Sequence, residues 1–330
     1  MRLINRYQDI DKKAWQQLVK ESPTASFFQT EACFCFYETL SFLNPFVFAL
    51  ENGKLKGVIV GYIQKDPSTL KHFFSRRAII PGGVLLVADI TEAELSFLLN
   101  ECRRQLAREA IYIELRNYSD FSPWKQAFEK NGFQYVQHLN FHIDTSTEEV
   151  VMGNLGKSRK RDIRTSLRDG ASVIEHPTID DVKAFFGILD NLYKTKVKTP
   201  LFPFEFFEKL YTSGLGIYVL IQLDNEVIGG TLCAGLEGKA LYEWFACGKD
   251  GAYKNIYPST LATFSGIQYA VTHGYPLFDM MGAGKPDDSY GVRDFKAKFG
   301  GKLVEHGRFL VIVKPMLYKI GKLAVKMMKR

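Results

Sequence analysis

The sequence predicts a mixed α/β protein made of two tandem copies of one unit, closed by a basic amphipathic helix. Three observations lead there. One order of elements, hairpin, helix, strand, helix, strand, runs through residues 1–150 and again through 151–313. The 330 residues are enough for two domains with a real core in each. Residues 314–330 then carry apolar positions at helical spacing among six basic residues and no acid.

In the first half, PFVFALENGKLKGVIVGYIQ reads as two strands around a turn in which Gly53 relieves the chain reversal. TEAELSFLLNECRRQLARE places Leu95, Leu98, Leu99, Cys102 and Leu106 on one helical face. IYIELRN is a short strand. SPWKQAFEKNGF is a helix begun by Ser122-Pro123 and ended by Gly132, and YVQHLNFHID returns as one strand. The second half opens with a basic helix near Ser158, followed by a long helix from Ile179 to about Thr195. GIYVLIQLDNEVIGGTLCAGLEGKALYEWFACG gives three strands joined by tight turns. YPSTLATFSGIQYAVTHGY is a helix between Pro258 and Gly274, PLFDMMG a strand, VRDFKAKFG a short helix and RFLVIV the last strand.

Composition narrows the functional classes. Five cysteines without CxxC spacing read as reduced thiols in a cytosolic protein, with neither a disulfide framework nor a zinc site. The six histidines show no HxH or HExxH spacing, so no metal is expected. No GxSxG or cysteine–histidine signature points to an acyl-enzyme. MRLINRYQDIDKKAW lacks the apolar run of a secretory signal, and no stretch is long enough to span a membrane. The net charge of +7 is concentrated in Lys157–Arg168 and in Lys314–Arg330. Each patch is either a solvated face or a site for phosphate, RNA or lipid headgroups.

The order of elements resembles the GCN5-related N-acetyltransferase (GNAT) fold used twice. That fold ordinarily holds the acetyl-CoA pyrophosphate on the backbone N–H groups of a glycine-rich loop before a helix. The corresponding stretches here, GAYKNIYPSTL and PGGVLLVADIT, lack that loop, which argues against acetyl-CoA, and no cofactor is expected. The strings WFACG, YPSTLATFSGIQYA, GYPLFDMMGAG and YGVRDFKAKFGG come in that order in the second half. SFFQTEACFCFYE, RRAIIPGG and NGFQYVQHLNFHIDT precede them, with KSRKRDIRTSLRDG opening the second half. Together they resemble the FemABX family of peptidoglycan aminoacyltransferases over nearly the whole chain. The resemblance implies an aminoacyl-tRNA donor and an amine of a cell-wall precursor as acceptor. The segment from Ile179 to Gly214 is too short for the long helical arm that some members carry.

Aminoacyl transfer passes through a tetrahedral intermediate with negative charge on oxygen, so a fixed cation there lowers the barrier most. Lys296, between Phe295 and Phe299, is the candidate, and the resemblance implies that the Phe295–Lys296 pair is catalytic. A snorkelling surface lysine is the alternative. Asp279 ends the strand PLFDMMG, either as acceptor of the attacking ammonium's proton or as a turn carboxylate. Arg159, Lys160, Arg161 and Arg164 lie within two helical turns and suit phosphate contacts or a solvated face. Trp244, Tyr257 and Tyr290 flank the same region and could stack on a base or sugar, or belong to the core and its rim.

The tail puts Met316, Ile320, Leu323 and Met327 on one stripe and Lys319, Lys322, Lys326 and Lys329 beside it. Such a helix lies on an anionic membrane surface or docks on its own domain. The resemblance therefore implies a cytoplasmic aminoacyltransferase, and the tail allows it a peripheral place on the inner membrane face. Alternatives are an acyl-CoA or acyl-carrier N-acyltransferase in cell-envelope or lipid synthesis, and a non-enzymatic RNA- or membrane-binding module.

Overall fold

The computed structural model describes residues 1–64 and 76–328. It forms two compact units, Met1–His138 with the chain from Glu305 onward, and Leu139–Val304. The first contains strands β1 (Arg2–Ile4), β2 (Leu43–Asn52), β3 (Lys54–Gln64), β4 (Arg77–Gly82), β5 (Leu85–Leu86), β6 (Tyr112–Asn117) and β7 (Gln134–Val136). Its helices are α1 (Lys12–Glu21), α2 (Glu31–Glu38), α3 (Glu92–Leu106) and α4 (Lys125–Lys130). Alternation sends Ile113 and Leu115 of β6 and Ala78 and Ile80 of β4 to one face, where Leu95, Leu98, Leu99 and Cys102 of α3 cover them. The start of α3 is fixed by a capping box between Thr91 and Glu94.

The second unit contains β8 (Leu139–Asp144), α5 (Glu148–Asn154), α6 (Lys157–Arg168), β9 (Ser172–Ile174), α7 (Ile179–Leu192) and α8 (Phe204–Thr212). It continues with β10 (Ile217–Leu223), β11 (Glu226–Leu236), β12 (Ala240–Gly248), α9 (Pro258–Thr272), β13 (Leu277–Gly282), α10 (Gly291–Ala297) and β14 (Lys302–Glu305). Leu261, Ala262, Ile267 and Ala270 of α9 pack on Ile228, Cys233, Leu241 and Phe278 of the sheet. A final strand β15 (Arg308–Ile312) and helix α11 (Pro315–Met328) follow.

Both sheets have the same plan. The first runs β1-β2-β3-β4-β6-β15-β7, with β5 on β3, and the second runs β9-β10-β11-β12-β13-β8-β14. In each, four antiparallel strands lead into one parallel pair, β4 with β6 or β12 with β13. The sixth place is filled from elsewhere in the chain. In the first sheet β15 enters between β6 and β7, and in the second β8 enters between β13 and β14.

Two expectations are corrected here. The domains are not residues 1–150 and 151–313 with a separate tail, because β15 and α11 belong to the first unit and β8 to the second. YVQHLNFHID is likewise two strands in two sheets, parted at Gln137–His138. Reading along the chain assigns a strand to its sequence neighbours, whereas hydrogen-bond pairing is made with whichever edge is open. Lys329 lies outside the described residues.

Candidate active site

The two parallel pairs differ. In the first unit β4 and β6 stay in register over six residue pairs, from Arg77 with Tyr112 to Gly82 with Asn117. The end of that pair is filled: the Gln29 amide donates to the Gly82 carbonyl at 2.8 Å, and a Cβ at Gly82 would lie 2.3 Å from Ser26 Oγ. In the second unit β12 and β13 pair only at Leu241 with Phe278 and Tyr242 with Asp279. Beyond those residues β12 runs on to Gly248 and β13 to Gly282 without pairing to each other. A strand pair that parts in mid-sheet leaves backbone groups and a gap available to a ligand.

β13 is also irregular against its other neighbour. Its register with β8 shifts between Asp279 and Gly282, and Met281 adopts a left-handed φ of 56°. A non-glycine residue held there is strained, a feature that concentrates at functional sites. The bulge has two visible uses. The Met281 N–H donates to Asp279 Oδ1 at 2.6 Å, and the Lys296 ammonium takes up the carbonyls of Met280 and Gly282, the latter at 3.0 Å.

Lys296 reaches that point because α10 is clamped from below. Arg159 of α6 donates to Thr260 Oγ1 at 2.9 Å and to the Phe295 carbonyl at 3.3 Å, and lies 3.6 Å from Asp162. Its guanidinium stacks 4.4 Å from the Phe295 ring centre and 5.1 Å from that of Phe299. The Gly156 N–H donates to the Lys298 carbonyl at 3.0 Å. Gly300, at φ 81°, presses on the Asn154 carbonyl so closely that a Cβ would stand 2.1 Å from it. The glycine pair after the FKAKF stretch is thus a packing requirement of the α5–α6 connection.

Two buried carboxylates act on the ammonium. Glu243 of β12 accepts from Thr263 Oγ1 of α9 at 2.8 Å. Asp279, fully buried, also has Asn140 Nδ2 and His142 Nε2 of β8 within 3.4 Å of Oδ2. Burial pushes the Lys296 ammonium below the usual lysine value, and the charges of Glu243 and Asp279 pull against that shift. Burial raises the Glu243 carboxyl, opposed by Lys296 and by the Thr263 hydroxyl. An ammonium has three donors, and with two on carbonyls one N–H is left for a ligand. The arrangement is a desolvated cation at the mouth of an open strand pair, suited to an oxygen that gains charge.

The expected site residues fall into two groups. Lys296, Phe295 and Asp279 come together with Arg159 beneath them, and the last two are buried. Arg159 is buried, with Nη1 on Thr260 Oγ1, Nη2 on the Phe295 carbonyl and Nε without a hydrogen-bond partner among the described residues, and it braces α10 from beneath. Asp279 lies within the strand, fully buried and paired with His142 of β8. Lys160 is half-buried, Arg161 is exposed and paired with Asp162 at 2.8 Å, and Arg164 is exposed. Tyr257 starts α9, its N–H donating to Ser166 Oγ at 2.9 Å, with its ring exposed. Tyr290 is exposed and lies over Gly284. Trp244 packs edge-on against Phe206 at 5.0 Å in an aromatic cluster.

Sequence reasoning missed Glu243 and Arg293. Glu243 was legible as an acid inside the apolar strand ALYEWFACG. Arg293 braces the loop before α10 by donating to the carbonyls of Ala283 at 2.9 Å, Pro286 at 3.1 Å and Lys285.

A doubled GNAT-like fold with one open and one closed strand pair defines a class, and the chain is an acyltransferase. A family model described as the FemAB family matches residues 227–326. That span contains β12, β13 and α10, hence Glu243, Asp279 and Lys296. No curated protein matches the sequence. Among solved structures, the crystal structure of FemX is 15% identical with a TM-score of 0.72, covering 97% of this chain and 99% of that one. The C-terminal domain of a putative lysylphosphatidylglycerol synthetase from Agrobacterium fabrum is 14% identical, with a TM-score of 0.61 and 94% of each chain covered. A tandem GNAT protein from the clavulanic acid biosynthesis pathway is 10% identical with a TM-score of 0.55, over 94% and 98% of the two chains. At such identities these likenesses establish the fold.

Proposed function

We infer that this protein transfers an aminoacyl group from aminoacyl-tRNA to an amine of a peptidoglycan precursor. The observation that carries the reading is the placement of Lys296, whose ammonium sits on the carbonyls of Met280 and Gly282 where β12 and β13 part. The FemAB match and the likeness to FemX and to a lysylphosphatidylglycerol synthetase domain support the choice of an aminoacyl group.

In that reaction the acceptor amine, once neutral, forms an N–C bond to the ester carbonyl carbon. The carbonyl π pair moves to oxygen, then returns as the C–O bond to the ribose breaks; the nitrogen gives up one proton, and the departing ribose oxygen takes one and leaves as a hydroxyl. Lys296 donates its remaining N–H to the oxygen that bears the developing charge. The charges of Glu243 and Asp279 oppose the downward pull of burial on the Lys296 ammonium, and Arg159 with Phe295 and Phe299 braces the helix that delivers it. A cation already desolvated and oriented needs no reorganisation as charge builds.

Lys296→Met keeps most of the stem and removes the charge. It should lower kcat by about a hundredfold or more with little change in KM, since the interaction is made in the transition state. Lys298, exposed on the same helix end, is the control, and Lys298→Met should turn over as the wild type does. Equal behaviour of the two variants would return Lys296 to a structural role. Labelled aminoacyl-tRNAs and acyl-CoAs, each offered with soluble and lipid-linked precursors, test the donor and acceptor. Transfer from acyl-CoA alone would overturn the aminoacyl reading.

A further inference from the structure

We propose that α11 is a docking helix for an anionic lipid surface. Its inner side rests on the first unit: Leu317, Tyr318 and Gly321 are half-buried, and the Tyr318 ring meets Tyr112 edge-on at 5.4 Å. Lys314 ties its start to the Arg108 carbonyl at 3.3 Å. The helix is therefore held on the body of the protein, yet three large apolar residues face away from it. Met316 is 81% exposed, Ile320 51% and Leu323 61%. Their spacing, i, i+4 and i+7, makes one continuous stripe, which isolated surface apolar residues do not form. Lys319 and Lys322 are exposed as well, and no acid occurs between Lys314 and the end of the sequence.

Length and charge select the partner. Fourteen residues span roughly 21 Å at 1.5 Å per residue, short of the roughly 30 Å hydrocarbon thickness, so the helix can lie on a bilayer and cannot cross it. Among the described residues no helix is long and apolar enough to cross a membrane. A second copy on the same stripe would bring two stretches of six uncompensated basic residues together. An anionic bilayer satisfies both faces at once, receiving the apolar stripe below its headgroups and the lysines among its phosphates. This surface is independent of the transfer chemistry, and its test involves no turnover.

The full chain is sedimented with vesicles of phosphatidylglycerol and phosphatidylcholine, and with vesicles of phosphatidylcholine alone. It should bind the first far better than the second, and less as salt is raised. Lys319→Gln and Lys322→Gln should each weaken binding about fivefold. Ile320→Glu with Leu323→Glu should abolish it while leaving the circular dichroism unchanged, since neither side chain is in the core. Binding indifferent to lipid charge, or untouched by the double variant, would overturn the proposal. So would a dimer in light scattering that the double variant dissociates, which would assign the stripe to a second copy.

Discussion

Glu243 is buried beside Lys296, and its environment shifts its titration. Burial raises its carboxyl, so the folded chain keeps that proton to a higher pH than the unfolded chain does. The sign of the linkage follows: its contribution to stability is complete below the unfolded carboxylate range and is lost as pH rises through the folded value. Urea midpoints should therefore fall more in the wild type than in Glu243→Gln as pH rises above the unfolded carboxylate value near 4.5. The same substitution removes an attraction that opposes the downward shift of the Lys296 ammonium. If the protonated lysine is the active form, the alkaline limb of the kcat profile should move to lower pH in Glu243→Gln. A limb that stays in place would separate Glu243 from the catalytic cation.

At the scale of elements, the pairing of β15 with β6 is reinforced by one acid between two bases. Glu114 Oε1 accepts from Arg308 Nη1 at 2.5 Å and from Arg116 Nε at 3.1 Å, joining residues on adjacent strands. Burial alone would raise the Glu114 carboxyl, but the Arg116 and Arg308 guanidiniums outweigh it and hold the group at about 2. Stability from this group is thus present above the unfolded value near 4.5 and is lost as pH falls toward about 2. Acid titration of thermal unfolding should show a loss in that window which Glu114→Gln lacks, the variant being less stable than the wild type at pH 7. Equal slopes would mean that the cross-strand pair adds nothing to the register.

For the whole molecule, the placement of β15 decides which pieces of the chain fold. β7 pairs with β15, so a chain ending at Val304 leaves β7 without that partner and the Ile113–Phe309–Val311 layer incomplete. Such a truncation should be insoluble or lack a cooperative unfolding transition, as should residues 1–150 alone. A chain ending at Val313 keeps the strand and should unfold cooperatively, yet fail to bind anionic vesicles. Cooperative unfolding of residues 1–150 would show that the first sheet closes without its returning strand.

Much was legible in the residues themselves. Alternation in IYIELRN, the 3.6 spacing of the helix from Glu92, and the turns at Gly53 and Asp224–Asn225 are local, because backbone period and turn sterics act over a few residues. The repeat of one element order pointed to the doubled fold, and FKAKFGG raised Lys296 as a candidate. Tertiary structure alone decided that Arg159 is buried beneath α10 and that Asp279 is enclosed by β8. It also decided that β8 and β15 each complete the sheet of the unit beyond their sequence neighbours. These are outcomes of which edges and faces meet in space. A charge reads the same in sequence whether its partner is water or a carbonyl from a strand many residues away, and only the fold sets the desolvation that makes Lys296 differ from Lys298.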